Sequence, residues 1–527
     1  MRDFALPGRS AAYGERGMAA TSHPLATQAA LDLLRAGGNA VDAAVAAVAV
    51  QCVVEPAMTG IGGDCFVLLA PAAGGIVALN GSGRAPRAAT VERLRADGVT
   101  DLEGSVHAVT VPGAVDAWAR LLEAHGSKGL DELLRPAIEH AEQGFVVTPR
   151  VAWDWARSGQ RLLRSPAGRV FYLPDDHAPV AGQKVRLPAL ANTLRRIAAE
   201  GPAAFYEGEL ASRMVAFLNQ EGGLHSADDF AAAAGEFVAP VSARYRDLEI
   251  YECPPNGQGV IALLLLNILK GFELGALDPD GPERLHLMAE ATRLAYRDRD
   301  AWLADPRAAE VPVGRLLDEG YAAALRGLID PERAQPALPP RPVVAHADTV
   351  YLTVADRDRN VVSFINSVFD SFGSGLVCPE TGVLFHDRGK SFVLDPEHPN
   401  RIAPGKRPLH TIIPGLAMRA GRPALAFGVM GGHYQPVGHV QILTNLIEYG
   451  QDPQTALDGP RSFAYGGELQ IETGVPAATA QALARRGHKV VARGAPLGGG
   501  QIIMVDHERG VLIGGSDPRK DGLALGY

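Results

Sequence analysis

A proline-rich segment runs directly into an apolar β-strand pattern in the last third of this sequence. Residues 331–342 contain five prolines and no apolar periodicity, which is typical of an extended, exposed linker. Residues 349–355 (TVYLTVA) are rich in β-branched and aromatic side chains, and a turn pattern at 356–360 leads to a second strand pattern at 361–367. We therefore predict a hairpin whose first strand begins at Thr349 and follows a segment that is accessible to cleavage.

The position of Thr349 suggests a specific chemistry. A threonine hydroxyl is a weak nucleophile unless a base takes its proton. Cleavage between Asp348 and Thr349 would create an α-amino group beside the hydroxyl, with a reference pKa of about 7.7–8.0, and such an amine can replace the base of a catalytic triad. Gly431 and Gly432 can direct two backbone N–H groups at an oxyanion. Taken alone, these features are also those of an ordinary strand and an ordinary turn.

Composition indicates a large globular chain. Its 527 residues are 47% hydrophobic and 21% charged, and the net charge of −9 without a strongly basic run argues against nucleic-acid and anionic-membrane partners. The longest apolar run, residues 260–269, is about half of the roughly 20 residues that a membrane span needs. With no signal-peptide pattern, we expect a cytoplasmic protein. The four scattered cysteines form no CxxC pair, so we expect no zinc site and no disulfide framework.

Helix and strand patterns recur along the chain, which favours layered α/β sheets over an all-helical fold. We predict a helix capped by Ser22 and a second, wholly buried helix over residues 40–53. Further helices are predicted over residues 130–143, 187–199, 282–304, 437–449 and 477–486, and another from Val260. Strands are predicted over residues 65–70, 241–253, 500–505 and 510–513, and residues 428–432 are predicted to form a loop.

Ordered motifs along residues 17–527 resemble the γ-glutamyltransferase family, also called glutathione hydrolases. They include GMAATSHPLATQAALDLLRAGGNAVDAAVAA, EPAMTGIGGDCFVLL, AVTVPGAVDAW, YECPPNGQG, DTVYLTVADRDRNVVS, APGKRPLHTIIP, GVMGGHYQP and GGSDPRKDGLALGY. The resemblance implies a four-layer αββα sandwich of the N-terminal-nucleophile hydrolase type, built as one composite domain. It also implies a precursor that cleaves itself into a large subunit, residues 1–348, and a small subunit, residues 349–527, with residues 331–348 as the cleavable linker.

The same resemblance implies roles for individual residues. The family's nucleophile is the Thr that opens a T-x-x-x-x-V-x-D strand, and reading back from Asn360 places it at Thr349. Thr353 is the rival, but it lies inside the strand pattern. Gly431 and Gly432 match the family's oxyanion pair, and Ser367 matches a second hydroxyl residue beside the nucleophile. No metal and no cofactor is implied. The expected substrate is a small amide, and the acyl acceptor is water or an amino acid.

The residues that hold a glutamate head group in this family are mostly replaced here. The family's Arg and Asn contacts correspond to Val91 and Phe369, its Gln and Asp to Arg388 and Ser391, and its Ser-Ser pair to His410 and Thr411. The segment over residues 392–407 is also short where many members carry a longer lid. The HDRG…KRPLHT pattern looks like the acylase and oxamate-amidohydrolase branch of the superfamily.

These replacements suggest a different acyl group. Arg388 adds a partner for an anion, and Arg84 is a second candidate, because a guanidinium binds carboxylates bidentately. His410 and Thr411 are candidate polar contacts to substrate, although loop bracing by the arginines and simple packing of His410 are equal alternatives. Three functions remain open: an enzyme acting on γ-glutamyl compounds such as glutathione, an amidohydrolase or acylase acting on an oxamate-like or glutaryl amide, and an uncleaved binding homologue.

Overall fold

Two seven-stranded antiparallel sheets face each other in the computed structural model, which describes residues 4–5, 8–335 and 347–527. The described strands, in chain order, are β1 Ala12–Gly14, β2 Met18–Thr21, β3 Asp64–Ala70, β4 Val77–Gly81, β5 Phe145–Val146, β6 Lys184–Val185, β7 Glu236–Val238, β8 Val241–Tyr245, β9 Leu248–Glu252, β10 Ala347–Ala355, β11 Val361–Asp370, β12 Gly415–Arg419, β13 Arg422–Met430, β14 Ser462–Tyr465, β15 Glu468–Ile471, β16 Val490–Ala492, β17 Gly499–Asp506, β18 Val511–Ser516 and β19 Leu523–Gly526.

The first sheet has the order β1-β18-β17-β13-β12-β9-β8, and the second has the order β19-β2-β10-β11-β3-β4-β7. Both sheets contain strands from before and after residue 348. The predicted hairpin is confirmed as β10 and β11, which lie at the centre of the second sheet between β2 and β3. Its predicted start is wrong, because pairing with β11 extends β10 two residues back from Thr349 to Ala347. The smaller sheets β14-β15-β16 and β5-β6 lie outside this pair.

Helices cover the outer face of each sheet. They are α1 Pro24–Arg35, α2 Ala40–Val54, α3 Val91–Ala96, α4 Ala114–His125, α5 Leu130–Leu133, α6 Arg135–Gln143, α7 Pro149–Ser158, α8 Pro166–Tyr172, α9 Pro188–Glu200, α10 Ala203–Tyr206, α11 Gly208–Gln220, α12 Ala227–Ala231, α13 Gly259–Leu269, α14 Pro282–Trp302, α15 Val313–Leu316, α16 Glu319–Arg326, α17 Gln435–Ile447, α18 Pro453–Asp458 and α19 Ala477–Arg485.

Three apolar cores separate the resulting layers. One lies between the second sheet and the helices that include α1, α2 and α4, and another lies between the first sheet and α13, α14 and α17. The third lies between the sheets and contains Phe66, Tyr351, Ile365, Leu416 and Ile503. Each sheet therefore buries both faces, and the predicted four-layer αββα sandwich is confirmed.

The first two helices show how local sequence builds one of these layers. All residues of α2 are buried, as predicted, and Asn39 and Asp42 form a reciprocal capping box at its start. The predicted cap of α1 is wrong, because Ser22 Oγ instead donates to the buried Glu55 carboxylate at 2.6 Å. His23 Nδ1 caps this helix by accepting from Leu25 N at 3.2 Å.

Two other predictions fail for identifiable reasons. The helix predicted over residues 130–143 is divided into α5 and α6, and Pro136 stands in the first turn of α6, where its missing N–H is tolerated. Residues 428–430, predicted to be a loop, are the end of β13. Gly428 lies in that strand at a point where the Tyr351 ring approaches its backbone across the space between the sheets. This glycine therefore marks a close contact within the fold and not a turn.

Two further sequence-based predictions concern the cleavable linker and the absence of a membrane span. Most of the predicted linker, residues 336–346, lies outside the described residues, so the division of the chain at residue 348 stays a prediction. Within the described ranges, none of the helices has the length and apolarity that crossing a membrane requires.

The contact between Gly428 and Tyr351 makes the spacing of the two sheets testable. A Cβ added to Gly428 would lie 2.4 Å from a carbon of the buried Tyr351 ring. Overpacking of this kind costs about 1–3 kcal/mol, so we expect Gly428→Ala to lower the thermal unfolding midpoint measured by circular dichroism. Gly314→Ala is the control, because a Cβ there meets nothing within 4 Å. Equal midpoints for the two variants would contradict the tight contact.

Candidate active site

Thr349 lies in an irregularity of the central hairpin. Asp348 pairs with Phe369 and Val350 pairs with Asn366, so Thr349 alone faces the two residues between them on β11. Such a bulge re-aims a side chain, and Phe369 takes a left-handed φ of 78° beside it. Thr349 has no solvent exposure. Strand alternation puts it on the same side of β10 as Tyr351, which faces the first sheet.

Ser367 is the immediate partner of the Thr349 hydroxyl. The two oxygens, Thr349 Oγ1 and Ser367 Oγ, are 3.0 Å apart. The Phe369 N–H donates to Ser367 Oγ at 2.9 Å, and Arg388 Nη2 donates to it at 3.3 Å. A serine oxygen has two acceptor sites and one proton. The contact with Thr349 can use the proton of either hydroxyl.

Arg388 lies in the same buried site, in a 3₁₀ turn over Arg388–Ser391. Its Nη1 donates to Thr411 Oγ1 at 2.8 Å, and its guanidinium carbon lies 3.9 Å from the centre of the Phe369 ring. Among the described residues, Arg388 makes no carboxylate ion pair and its buried Nε has no hydrogen-bond partner. Burial lowers the pKa of Arg388 to about 10, so it remains charged at neutral pH. A buried cation without an anion at contact distance is suited to binding one.

His410 belongs to a buried group around Asp64. Asp64 Oδ1 accepts from the backbone N–H groups of Gly83 at 2.9 Å and Gly113 at 3.2 Å, while Oδ2 lies 2.9 Å from His410 Nε2 and 3.5 Å from His386 Nδ1. Burial opposes ionisation of Asp64, but His386, His410 and Arg388 together lower its pKa to about 2. Asp64 is therefore an ionised brace that joins three loops to β3.

The protonation of His410 follows from its contacts. Burial, assisted by the Arg388 charge, lowers the pKa of His410 to about 3, so the ring is neutral at neutral pH. In the tautomer that fits both neighbours, Nε2 donates to Asp64 and Nδ1 accepts from Ile412 N at 3.4 Å. Both ring nitrogens are engaged within the protein, whereas the adjacent Thr411 hydroxyl contacts Arg388.

Gly431 and Gly432 follow the last residue of β13. Their φ angles are 118° and 56°, which glycine adopts without strain. The carbonyl of Gly432 accepts from Gln258 Nε2 at 2.9 Å, and a 3₁₀ turn over Gly432–Tyr434 leads into α17. The positive end of the α17 dipole therefore lies at the glycine pair, where it favours a negative charge.

Gly431 also reaches a cavity of about 370 Å³. Most of the ionisable side chains around this cavity are cationic, and its lining includes Arg150, Arg157, Arg161 and Lys520 together with Asp154 and the aromatic ring of Trp153. Gly431 therefore lines a predominantly cationic cavity, which attracts anionic molecules.

His433 is a half-buried residue next to Gly432 that is not among the site residues predicted from the sequence. Arg299 Nη1 lies 3.1 Å from His433 Nδ1, so Nδ1 is the acceptor and Nε2 carries the proton. Nε2 is buried and has no partner among the described residues. The ring centre lies 6.3 Å from that of Phe369. Burial lowers the pKa of His433 well below its usual range, which leaves a neutral N–H donor beside Gly432.

The structure brings some candidate residues together and leaves one in a separate network. Thr349, Ser367, Arg388 and Thr411 form a continuous chain of hydrogen bonds. Arg84, the second candidate carboxylate ligand, instead pairs with Glu236 at 2.8 Å and donates to the Gly405 carbonyl at 3.0 Å. These are the contacts of a residue that braces loops, and a substrate role for Arg84 stays a prediction.

Comparisons with known proteins agree over nearly the whole chain. The family described as Gamma-glutamyltranspeptidase matches residues 26–527. A glutathione hydrolase-like YwrD proenzyme from Bacillus subtilis is 38% identical over 97% of this chain and 99% of its own length. An Acylase ACY 1 proenzyme from Pseudomonas sp. strain SE83 is 37% identical over 97% of this chain and 93% of its own. The crystal structure of a cephalosporin acylase from Bacillus halodurans aligns with a TM-score of 0.93 and 42% identity, covering 100% of this chain and 99% of that one.

The buried His410 predicts a pH-dependent stability. An unfolded histidine binds a proton near pH 6.5, but folded His410 does so only at about pH 3. Between these values the unfolded state holds the extra proton, so stability falls as the pH decreases, by about 1.4 kcal/mol per pH unit for one site. We expect His410→Gln to reduce the slope of the free energy of unfolding between pH 4 and 6 by about this amount, measured by urea denaturation.

The matched control for this experiment is His177→Gln, since His177 is exposed. It should keep the slope of the parent protein. If His410→Gln and His177→Gln give the same slope, burial and the Arg388 charge do not hold His410 neutral.

Proposed function

The chain belongs to the gamma-glutamyltranspeptidase family of enzymes, and we propose that it breaks amide bonds through an acyl ester on Thr349. The observation that carries this proposal is the contact of 3.0 Å between Thr349 Oγ1 and Ser367 Oγ, at the buried position where β11 bulges opposite Thr349. The proposal assigns Ser367 as the donor in this contact, which leaves the proton of Thr349 Oγ1 available to a base.

Self-cleavage would prepare that base. In this step Thr349 Oγ1 attacks the carbonyl carbon of Asp348, so that the peptide C–N bond is replaced by an ester and the nitrogen becomes an amine. Water then hydrolyses the ester, which leaves a carboxylate on Asp348 and a free α-amino group on Thr349. The ladder irregularity at this bond supports the step, and two of the similar relatives are named proenzymes.

Turnover would use the new amine. The amine accepts the proton of Thr349 Oγ1 as the oxygen attacks the substrate carbonyl, and then returns the proton to the leaving amine. Water, or an amino acid, takes the acyl group from the ester. Gly431 and Gly432 are assigned to the tetrahedral oxyanion, supported by their open backbone and by the α17 dipole.

We further propose that the acyl group carries a carboxylate and no α-amine, as in a glutaryl or oxamate-like amide. The support is the buried Arg388 guanidinium, which has a free Nε and no carboxylate at contact distance among the described residues. His433 supplies a second donor, its Nε2–H, which has no partner among the described residues. The centre of its ring lies 6.3 Å from that of Phe369. Two buried donors that lack acceptors are stabilised when a bound anion accepts a hydrogen bond from each of them.

A γ-glutamyl substrate is the second candidate, since one buried carboxylate oxygen, Asp370 Oδ1, has no partner in the described residues. It could accept from the α-ammonium group of a glutamyl donor. However, Asp370 already pairs with Arg161 at 2.9 Å and with Lys390. Burial and the Asp387 charge also raise the pKa of Asp370, which weakens it as a ligand for an ammonium group. We therefore rank this candidate after the carboxylate-bearing acyl group.

Cleavage of the purified chain tests the nucleophile. We expect the wild-type protein to yield residues 1–348 and 349–527, and Thr349→Ala to remain intact because it lacks the attacking oxygen. Intact-mass spectrometry distinguishes these outcomes. Thr353→Ala, which changes a buried threonine of the same strand, is the matched control and should still be cleaved. Cleavage of Thr349→Ala would exclude Thr349 as the nucleophile, and an intact wild-type chain would favour the non-catalytic binding homologue.

A substrate panel tests the role of Arg388. We expect Arg388→Gln to lower kcat/KM for a glutaryl anilide roughly 10- to 100-fold more than for the uncharged pentanoyl anilide, because a hydrogen bond to a charged group contributes about 1.5–3 kcal/mol. Arg84→Gln should leave the ratio unchanged. Equal losses on both anilides would contradict anion binding by Arg388. A kcat/KM for a γ-glutamyl anilide that exceeds the values for both of these anilides would favour a γ-glutamyl substrate.

A further inference from the structure

Three side chains of the kind that bind metal ions converge in a buried position that takes no part in the proposed chemistry. His286 and Glu290 lie one turn apart on α14, and His488 lies between α19 and β16. Their ligand atoms are all within 4.8 Å of one another. Each side chain is at least nine-tenths buried, with exposures of 0%, 1% and 9% for His286, Glu290 and His488.

The hydrogen bonds of His286 orient its ring as a ligand. Its Nε2 lies 2.7 Å from the carbonyl oxygen of Asp330, which can only accept, so Nε2 carries the proton of the neutral ring. Nδ1 then carries a lone pair, and it lies 2.7 Å from His488 Nε2. In metalloproteins, a histidine ligand commonly donates its second nitrogen to a backbone carbonyl in this way.

Glu290 is held at the same place and keeps free acceptor sites. Its Oε1 accepts from Arg293 at 2.8 Å and its Oε2 accepts from the Gln335 backbone N–H at 3.0 Å. Each carboxylate oxygen has two lone pairs, so one site on each remains. Two imidazole nitrogens and one carboxylate form a ligand set that suits zinc, whereas calcium and magnesium prefer oxygen ligands alone.

We propose that His286 Nδ1, His488 Nε2 and the Glu290 carboxylate bind one divalent zinc ion, with water as the fourth ligand. The ion replaces the hydrogen bond between the two rings, and the His488 proton moves from Nε2 to Nδ1, so no proton is lost. Tetrahedral bonds of about 2.0–2.1 Å require the two nitrogens to be roughly 3.4 Å apart. Zinc binding therefore requires the two nitrogens to separate by about 0.7 Å from their 2.7 Å contact.

The position of this site suggests what the ion does. His286 and Glu290 precede residue 348, and His488 follows it. The same surroundings hold the first part of the predicted linker. Arg293 donates to the Gln335 carbonyl at 2.7 Å, and Ala334 N donates to the Arg486 carbonyl at 2.7 Å. If the chain is cleaved as proposed above, the ion joins the two fragments directly.

Zinc binding by untagged protein tests the site. After dialysis against EDTA, zinc chloride is titrated by calorimetry, and the bound metal is counted by mass spectrometry after gel filtration. We expect one tightly bound zinc per chain in the wild type, and loss of that site in His488→Gln and Glu290→Gln. His507→Gln is the control, since His507 is a partly buried histidine that contacts only the Pro423 carbonyl among the hydrogen bonds described. It should bind as the wild type does.

Two further measurements separate this proposal from the proposed activity. Cobalt(II) in place of zinc should give the intense visible bands of a tetrahedral site, and these should disappear in His488→Gln. Uncleaved Thr349→Ala protein should bind zinc with the same stoichiometry, so failure of cleavage leaves the metal test intact. The proposal is overturned if the wild type retains no zinc, or if wild type, His488→Gln and Glu290→Gln retain equal amounts, in which case the two histidines form a hydrogen bond only.

Discussion

The pairing of β10 with β11 holds the chain after residue 346 at the centre of a seven-stranded sheet. Its one irregularity, between Asp348 and Val350, places the Thr349 hydroxyl against Ser367. The same irregularity accompanies the left-handed backbone of Phe369, whose ring supports the Arg388 guanidinium. The local geometry of the candidate active site therefore depends on a register that hydrogen bonds on both sides of the hairpin maintain.

A break at residue 348 is compatible with this architecture because neither sheet belongs to one side of it. In the second sheet β2, β3, β4 and β7 precede the break, β11 and β19 follow it, and the break lies within β10 after its second residue. In the first sheet β1, β8 and β9 precede it, and the remaining strands follow. The apolar cores are likewise shared. Burial of this kind is non-directional and does not require a continuous backbone, so two fragments would stay folded together.

Features that follow from short-range periodicity or from the ordered motifs of a family could be predicted from the sequence. Features made by contacts between residues far apart in the sequence could not. The hairpin at Thr349 and the buried α2 follow from short-range periodicity, and the ordered motifs predicted the αββα layers. The predicted cap of α1 was wrong because the Ser22 hydroxyl donates to Glu55, 33 positions away. The tie between Asp64 and His410 spans 346 positions, and that between His286 and His488 spans 202. No spacing rule relates such residues until the fold brings them together.

Tyr527 lies beside the segment between β1 and β2. Tyr527 accepts hydrogen bonds from the backbone N–H groups of Glu15 at 2.9 Å and Arg16 at 2.8 Å, and β19 pairs with β2. A short connection from Tyr527 to the residues before β1 would therefore strain little, and the order of the gene could be permuted without altering a sheet. A chain reordered in this way can be synthesised with Thr349 directly after the initiator methionine. Removal of that methionine would then expose the threonine amine with no peptide bond to Asp348 ever having been made.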